Sequence, residues 1–361
     1  MENFIKKYIL HTKQGHITYA DFIDKVLYHP ELGYYMKDSL KIGKEGDFIT
    51  TSNFSNIYGK ILAKWYSKLV LKLGLPANIC EIGAGTGRFA KSFIDEWAKI
   101  MSIPLSYTIL ETSPYHRKLQ QQSINFNENV KQVESLAAIK PFSGLVFSNE
   151  LFDALPVHVI QKINGRLFEI MVTVQNNLLV EKKVSLEDHR IKEFISSQNL
   201  ELQESQRIEI PLAMIDLIQS MADVVSEGLI LTVDYGYSRE EWQEPARKNG
   251  SLRGYYKHQM IHDVLLHPGE MDITSHIHFD ALIEIGENSG LSFIQKLRQD
   301  EFFLSIGILD ELQDNYDPNP FSEKSKQNRA IRSLIMPSGV SPSFHVILQH
   351  KNLTTIASQI V

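Results

Sequence analysis

The stretch "NICEIGAGTGRFAKSF", residues 78–93, decides how this chain is read. A short apolar run ending at Ile82 meets three glycines at alternate positions, Gly83, Gly85 and Gly87, and an amphipathic segment begins at Arg88. Such a break between an apolar run and a helical period reads as a strand feeding a helix through a tight turn. Glycine there removes the Cβ that would bar left-handed torsions or a close ligand. Two explanations fit the bareness: a turn that admits a bound nucleotide, or a sharp strand-to-helix corner. The spacing does argue against a dinucleotide fingerprint, G-x-G-x-x-G, whose last glycine would fall at Arg88.

Working outward, the same texture repeats. "LSYTILE", "VKQVES", "GLVFSNE" and "GLILTVDYG" read as further strands, and "PYHRKLQQQSINF" as a helix between two of them. Strands alternating with helices predict an α/β fold built on a parallel, doubly wound, Rossmann-like sheet. Before it, residues 1–36 read as helical, with Thr18 as a cap, and a further helix is expected around 55–73. Residues 157–184 alternate at period two around "NG" and "NN", which predicts an antiparallel meander. Residues 236–280 are polar and loop-rich, and "LSFIQKLRQ" and "SFHVILQHK" predict two late strands separated by helical material. The expected organisation is an N-terminal helical or lid segment over 1–76, then one domain over 77–361. Insertions are expected at about 157–212, 236–280 and 301–340.

Composition narrows the function classes. The 361 residues are 43% hydrophobic and 22% charged, which is ordinary for a globular chain able to bury a large core. A formal net charge of −6 argues against general affinity for nucleic-acid phosphate. The single cysteine, Cys80, excludes an internal disulfide and sits in an apolar run, as a small core residue would. No apolar stretch approaches the ~20 residues of a membrane span. The start, "MENFIKKYILHTKQG", shows no secretory signal, so a cytoplasmic location is expected.

Acids surround the glycine turn. Glu81 stands directly before it, Glu111 ends the second strand, and Glu134 ends the third. A carboxylate at the place of Glu111 can accept hydrogen bonds from ribose hydroxyls; Glu134 has the position of a group near an adenine edge. Together, Glu81, the glycines and Glu111 resemble the cofactor site of class I S-adenosylmethionine-dependent methyltransferases. That cofactor has a sulfonium cation, an amino group and a ribose but no pyrophosphate, so acids around the turn are favourable.

Four further blocks narrow the resemblance: "GKEGDFITTSNFSNIYGKILAKW" at 43–65, "SNELFDALPVH" at 148–158, "LRGYYKHQ" at 252–259 and "HPGEMDITSHIHFDAL" at 267–282. In this order, from roughly residue 15 to residue 350, the chain resembles the MidA family of methyltransferases. The mitochondrial members of that family are complex I assembly factors that methylate arginine on a subunit. The resemblance implies the class I fold, S-adenosylmethionine as cofactor and a protein substrate. It also implies that "GDFITTS", with Phe48 and Thr51, closes over the cofactor; read alone, the same segment could cap the following helix at Ser52.

The chemistry of "NELFDALP" bears on the acceptor. Asn149 and Glu150 follow the fourth strand, and Asp153 comes three residues later. Carboxylates beside a transferable methyl suit a guanidinium, a planar fork of donors that they bind in charge-assisted pairs. The chain departs from well-studied protein arginine methyltransferases, which carry a second glutamate further along this loop, where Val159 stands here. Asp153, or Asp272 from the later loop, would take its place. In "DITSHIHF", Asp272, Thr274 and His276 share a face if the segment is extended, and His276 would orient an acid or take a proton. His258 and His262 share a helix face if helical, but the glutamate of an H-E-x-x-H zinc motif is replaced by Gln259. The expected function is therefore methyl transfer to a protein arginine. The alternative is a cofactor-binding assembly factor that does not catalyse.

Overall fold

The structure is a computed structural model that describes residues 1–38, 56–312, 319–336 and 343–353. These fall into two compact units, one of 56–151, 219–235 and 286–353, the other of 1–38, 152–218 and 236–285.

The first unit is built on seven strands: β1 (Asn78–Ile82), β2 (Ser106–Leu110), β3 (Val130–Val133), β4 (Phe142–Asn149), β5 (Val225–Tyr237), β6 (Ser292–Arg298) and β7 (Phe344–Lys351). Their order is β3-β2-β1-β4-β5-β7-β6, with β1 to β5 parallel and β7 antiparallel to both neighbours. Central parallel strands are covered on both faces and so read as unbroken apolar runs. Ile79, Cys80, Glu81 and Ile82 of β1 are all buried. Burial also pushes the Cys80 thiol up to about 12, so it is a core residue and not a nucleophile.

Helices α1 (Ile57–Leu73), α2 (Arg88–Ile100) and α3 (Pro114–Ser123) belong to this unit. The aromatic rings of Tyr66, Phe93, Trp97 and Tyr107 pack together between helix and sheet. Gly59 allows α1 to approach α2 closely: a Cβ there would lie 2.8 Å from the Phe89 carbonyl oxygen.

In the second unit, two helices, Glu2–His11 and Tyr19–Tyr28, are separated by a short strand, His16–Thr18, that the helical period did not announce. Thr18 caps the second helix in a capping box with Asp21. The strand pairs with the expected meander, whose strands His158–Ile163, Arg166–Gln175 and Leu178–Ser185 are antiparallel. Ile5, Ile9, Phe22 and Val26 of the helices share one core with Val159, Ile170 and Val172 of the meander. A small sheet of Arg253–Tyr256, Gln259–Ile261 and Asp272–Thr274 completes the unit. Among the described residues no helix is long and apolar enough to cross a membrane.

Candidate functional site

The chain leaves β1 towards β2 on one side, while β4 lies on the other, so the strand order reverses between β1 and β4. Open α/β sheets bind ligands outside the strand ends at such a point. The glycine turn after β1 and the Asn149–Glu150 corner after β4 both lie there.

Gly83, Gly85 and Gly87 have φ of +74°, +53° and +77°. Residues with a Cβ adopt that region only at a cost of roughly 1–2 kcal/mol. The amides of the three glycines are used internally. Gly83 N–H donates to the Leu110 carbonyl (2.9 Å), Gly87 N–H to the Ala84 carbonyl (3.0 Å) and Gly85 N–H to Glu111 Oε2 (2.9 Å). A pyrophosphate turn instead aims its amides at the ligand. Side chains at Gly83 and Gly87 would meet the protein itself, Leu151 Cδ1 at 3.0 Å and Gln120 Cγ at 2.8 Å. The corner explanation therefore holds at these two glycines.

Glu111 braces the turn. Its second oxygen accepts from Ser113 N–H (2.8 Å), and Gln120 Nε2 donates to the Gly85 carbonyl (2.7 Å) from α3. Burial pushes the Glu111 carboxyl up to about 7, against the amides of Ser113 and Gly85 that favour its charge. Glu81 is also buried. Burial pushes its carboxyl up to about 8, opposed by the Tyr107 hydroxyl, which donates to Oε2 at 2.6 Å; the neighbouring Glu111 raises it further. Two buried carboxyls that ionise near neutrality favour a ligand bearing positive charge and repel a pyrophosphate. An ionised carboxylate with two bonds keeps lone pairs for hydroxyl donors. This set of acceptors thus fits S-adenosylmethionine. Glu134 follows β3, is exposed, and pairs with Arg117.

Glu150 holds a left-handed backbone, φ +51°, uncommon for a residue with a side chain, while its N–H donates to the Val233 carbonyl (2.9 Å). Asn149 Nδ2 donates to Glu150 Oε1 (3.0 Å), and Asn149 Oδ1 accepts from the Tyr58 hydroxyl (3.0 Å). Tyr58 escaped sequence reasoning, because an aromatic on the apolar stripe of a helix reads as core.

In the second unit, Asp153 and Asp272 are 5% and 2% exposed. The Tyr35 hydroxyl donates to Asp272 Oδ1 at 2.6 Å. Burial, then Asp272, Tyr28 and Asp153, hold the Tyr35 phenol well above its ordinary range, so both aspartates act on one hydroxyl. Tyr35, in "HPELGYY", is a second residue the sequence did not flag.

His276 keeps different company. The strand ends at Thr274, so alternation from Asp272 does not extend to it. Its ring stacks on Tyr237 (4.3 Å between centroids), its backbone N–H donates to Ser251 Oγ, and burial with Arg253 and Arg247 holds its imidazole down at about 3. A ring so held neutral is a weak proton acceptor. His258 lies in the hairpin turn between two strands, not on a helix with His262. Among the described residues no group of three or more His, Cys, Asp or Glu could hold a metal ion. Phe48, Thr51 and Ser52 lie outside the described residues.

The chain is similar to known methyltransferases. The protein arginine methyltransferase NDUFAF7 of Danio rerio mitochondria is 25% identical over 361 residues, covering 91% of this chain and 82% of that protein. The Mus musculus protein of the same name is 27% identical, covering 94% and 82%. Their mitochondrial location lends no support to the cytoplasmic one expected from sequence. In three dimensions, a likely methyl transferase from Burkholderia thailandensis, bound to S-adenosyl-homocysteine, superposes with a TM-score of 0.90. At 23% identity, and covering 100% of this chain and 94% of the other, it establishes the fold. A second structure from that organism gives 0.86 at 24% identity, covering 99% and 93%. The family described as "Putative S-adenosyl-L-methionine-dependent methyltransferase" matches residues 61–296, from α1 to β6 and so across the glycine turn and the Glu150 corner; the chain belongs to that methyltransferase family.

Proposed function

We propose that this methyltransferase acts on an arginine side chain of a protein. The observation that carries the reading is Glu150: a carboxylate on a strained corner at the switch point of the sheet, held there by Asn149. Strained backbone of this kind persists where the surroundings impose it, and it clusters at functional sites. The names of the mitochondrial relatives support the same acceptor.

When bound, S-adenosylmethionine supplies an electrophilic methyl group on a positively charged sulfur. We assign Gly83, Gly85 and Gly87 to shaping its cleft and Glu111 to its ribose, with Glu81 beside them gaining negative charge as pH rises through about 8. Glu150 takes one edge of the guanidinium in charge-assisted bonds. A guanidinium, with a pKa above ~12, is not deprotonated beforehand. Carboxylates that draw its positive charge to one side leave electron density on the attacking nitrogen. Transfer of that methyl to the nitrogen would release S-adenosylhomocysteine, and the proton the nitrogen gives up during or after attack would pass to water. Asp153 and Asp272, buried carboxylates of the second unit, are proposed as further residues on which turnover depends.

The test is methyl turnover and S-adenosylhomocysteine affinity measured on the same variants, Glu150→Gln, Asp153→Asn and Asp272→Asn. Removing one charge-assisted bond costs about 1.5–3 kcal/mol, or roughly ten- to a hundredfold in rate. The reading expects that loss in turnover with cofactor affinity little changed. Parallel loss of both would move the residue to the cofactor site, and no loss in either would remove it from the reaction.

A further inference from the structure

We infer that Tyr58 is a positioning residue for methyl transfer, fixing the Glu150 carboxylate through the side-chain amide of Asn149; this rests on the role proposed for Glu150. Tyr58 sits in the first turn of α1 and is 1% exposed. Its ring is held edge-on by Phe303 (4.9 Å between centroids) and by Phe89 (5.8 Å), the second residue of the helix that follows the glycine turn. The close approach of α1 to α2 at Gly59 sets that height.

The hydrogen bonds have a direction. Burial, and then the charge of Glu150, hold the Tyr58 phenol well above its ordinary range, so the hydroxyl keeps its proton and acts as a donor. Donating to Asn149 Oδ1 at 3.0 Å fixes which end of the amide faces Tyr58. Nδ2 must then point the other way, where it donates to Glu150 Oε1 at 3.0 Å. The opposite amide orientation would set an oxygen against a carboxylate and a nitrogen against a hydroxyl donor. Gln299 Oε1 lies within 3.3 Å of the same hydroxyl, but one proton serves one acceptor well and Asn149 is the nearer. Tyr58 thus selects the amide orientation that steers the carboxylate, without touching the acceptor.

Tyr58→Phe removes the hydroxyl and keeps the ring between Phe89 and Phe303. A double-mutant cycle with Asn149→Ala separates relay from packing, because effects that pass through one residue do not add. Turnover is read as transfer of labelled methyl from S-adenosylmethionine to proteins of a cell lysate. Alongside it run S-adenosylhomocysteine affinity and the Asn149 side-chain amide signals in protein carrying ¹⁵N asparagine. Tyr58→Phe should lower turnover roughly tenfold, leave cofactor affinity within about threefold, and change the Asn149 amide signals. The double variant should be no worse than Asn149→Ala. Wild-type turnover in Tyr58→Phe, additive losses in the cycle, or an unaltered Asn149 amide would each overturn the relay. The amide signals need no acceptor, so they decide the point even where lysate turnover is low. Glu150→Gln in parallel keeps the two ideas apart: full turnover in that variant refutes the role of Glu150, whereas its loss beside an active Tyr58→Phe refutes only the relay.

Discussion

Glu111→Gln tests the reading of the glycine turn most sharply. The carboxylate holds Gly85 N–H at 2.9 Å and Ser113 N–H at 2.8 Å, one on each oxygen. Glutamine keeps the length but presents one acceptor and one donor, so one of those amides faces another N–H group. Loss of the charge-assisted bond that the carboxylate would offer the ribose costs about 1.5–3 kcal/mol, or roughly ten- to a hundredfold in affinity. Calorimetric titration with S-adenosylhomocysteine at pH 8 should show that weakening. The pH dependence carries a second signature. The Glu111 carboxyl is raised from 4.5 to about 7, so the folded apo chain holds a proton there that the unfolded chain has released. With more protons bound when folded, stability falls as pH rises between about 4.5 and 7, and a cationic ligand that prefers the carboxylate binds more tightly over the upper part of that range. Each pH unit below the pKa weakens such binding about tenfold. Glu81, at about 8, adds a dependence of the same sign at higher pH. Glu111→Gln should remove the lower step and, with that neighbouring charge gone, move the upper one to lower pH. Affinity within threefold of wild type, with an unchanged pH slope, would refute the assignment of Glu111 to the cofactor.

Gly87→Ala should lower the melting temperature, because φ of +77° alone costs roughly 1–2 kcal/mol and the methyl meets Gln120 at 2.8 Å; a fully stable variant would contradict the corner. Tyr107→Phe removes the bond that favours ionised Glu81, so the upper step of the cofactor pH profile should move to higher pH, and a fixed profile would count against Glu81 acting there. Calorimetry should show S-adenosylmethionine binding and NAD not binding, since the glycine amides of the turn are engaged internally; tighter binding of NAD would reverse the reading.

The sheet was legible because its signals are local. A buried strand, a glycine turn and an amphipathic helix lie within sixteen consecutive residues, and the pattern recurs down the chain. Thr18 was legible as a cap because its partner is Asp21, three residues on. The hydroxyls of Tyr58 and Tyr35 were not, because their partners stand 91 and 237 residues away. Nothing in a helix period tells a tyrosine that fills a core from one whose hydroxyl also orients an amide. For Glu134 the position was legible and the partner was not. Its position after a strand matched that of Glu111, but its side chain turns to Arg117 at the surface. The packing of the two N-terminal helices on the meander is likewise a matter of distant partners, since Ile5 and Phe22 meet Val159 and Val172 only after folding.

The central claim is methyl transfer from S-adenosylmethionine to protein arginine, and the product tests it directly. Lysate protein incubated with the enzyme and S-adenosylmethionine carrying a deuterated methyl group would be digested and fragmented by mass spectrometry, with Glu150→Gln as the control. The account predicts heavy methyl on arginine nitrogen, formed by the wild type and largely lost with the variant. Heavy methyl found only on other residues, or cofactor bound with no heavy methyl transferred to any protein, would contradict it.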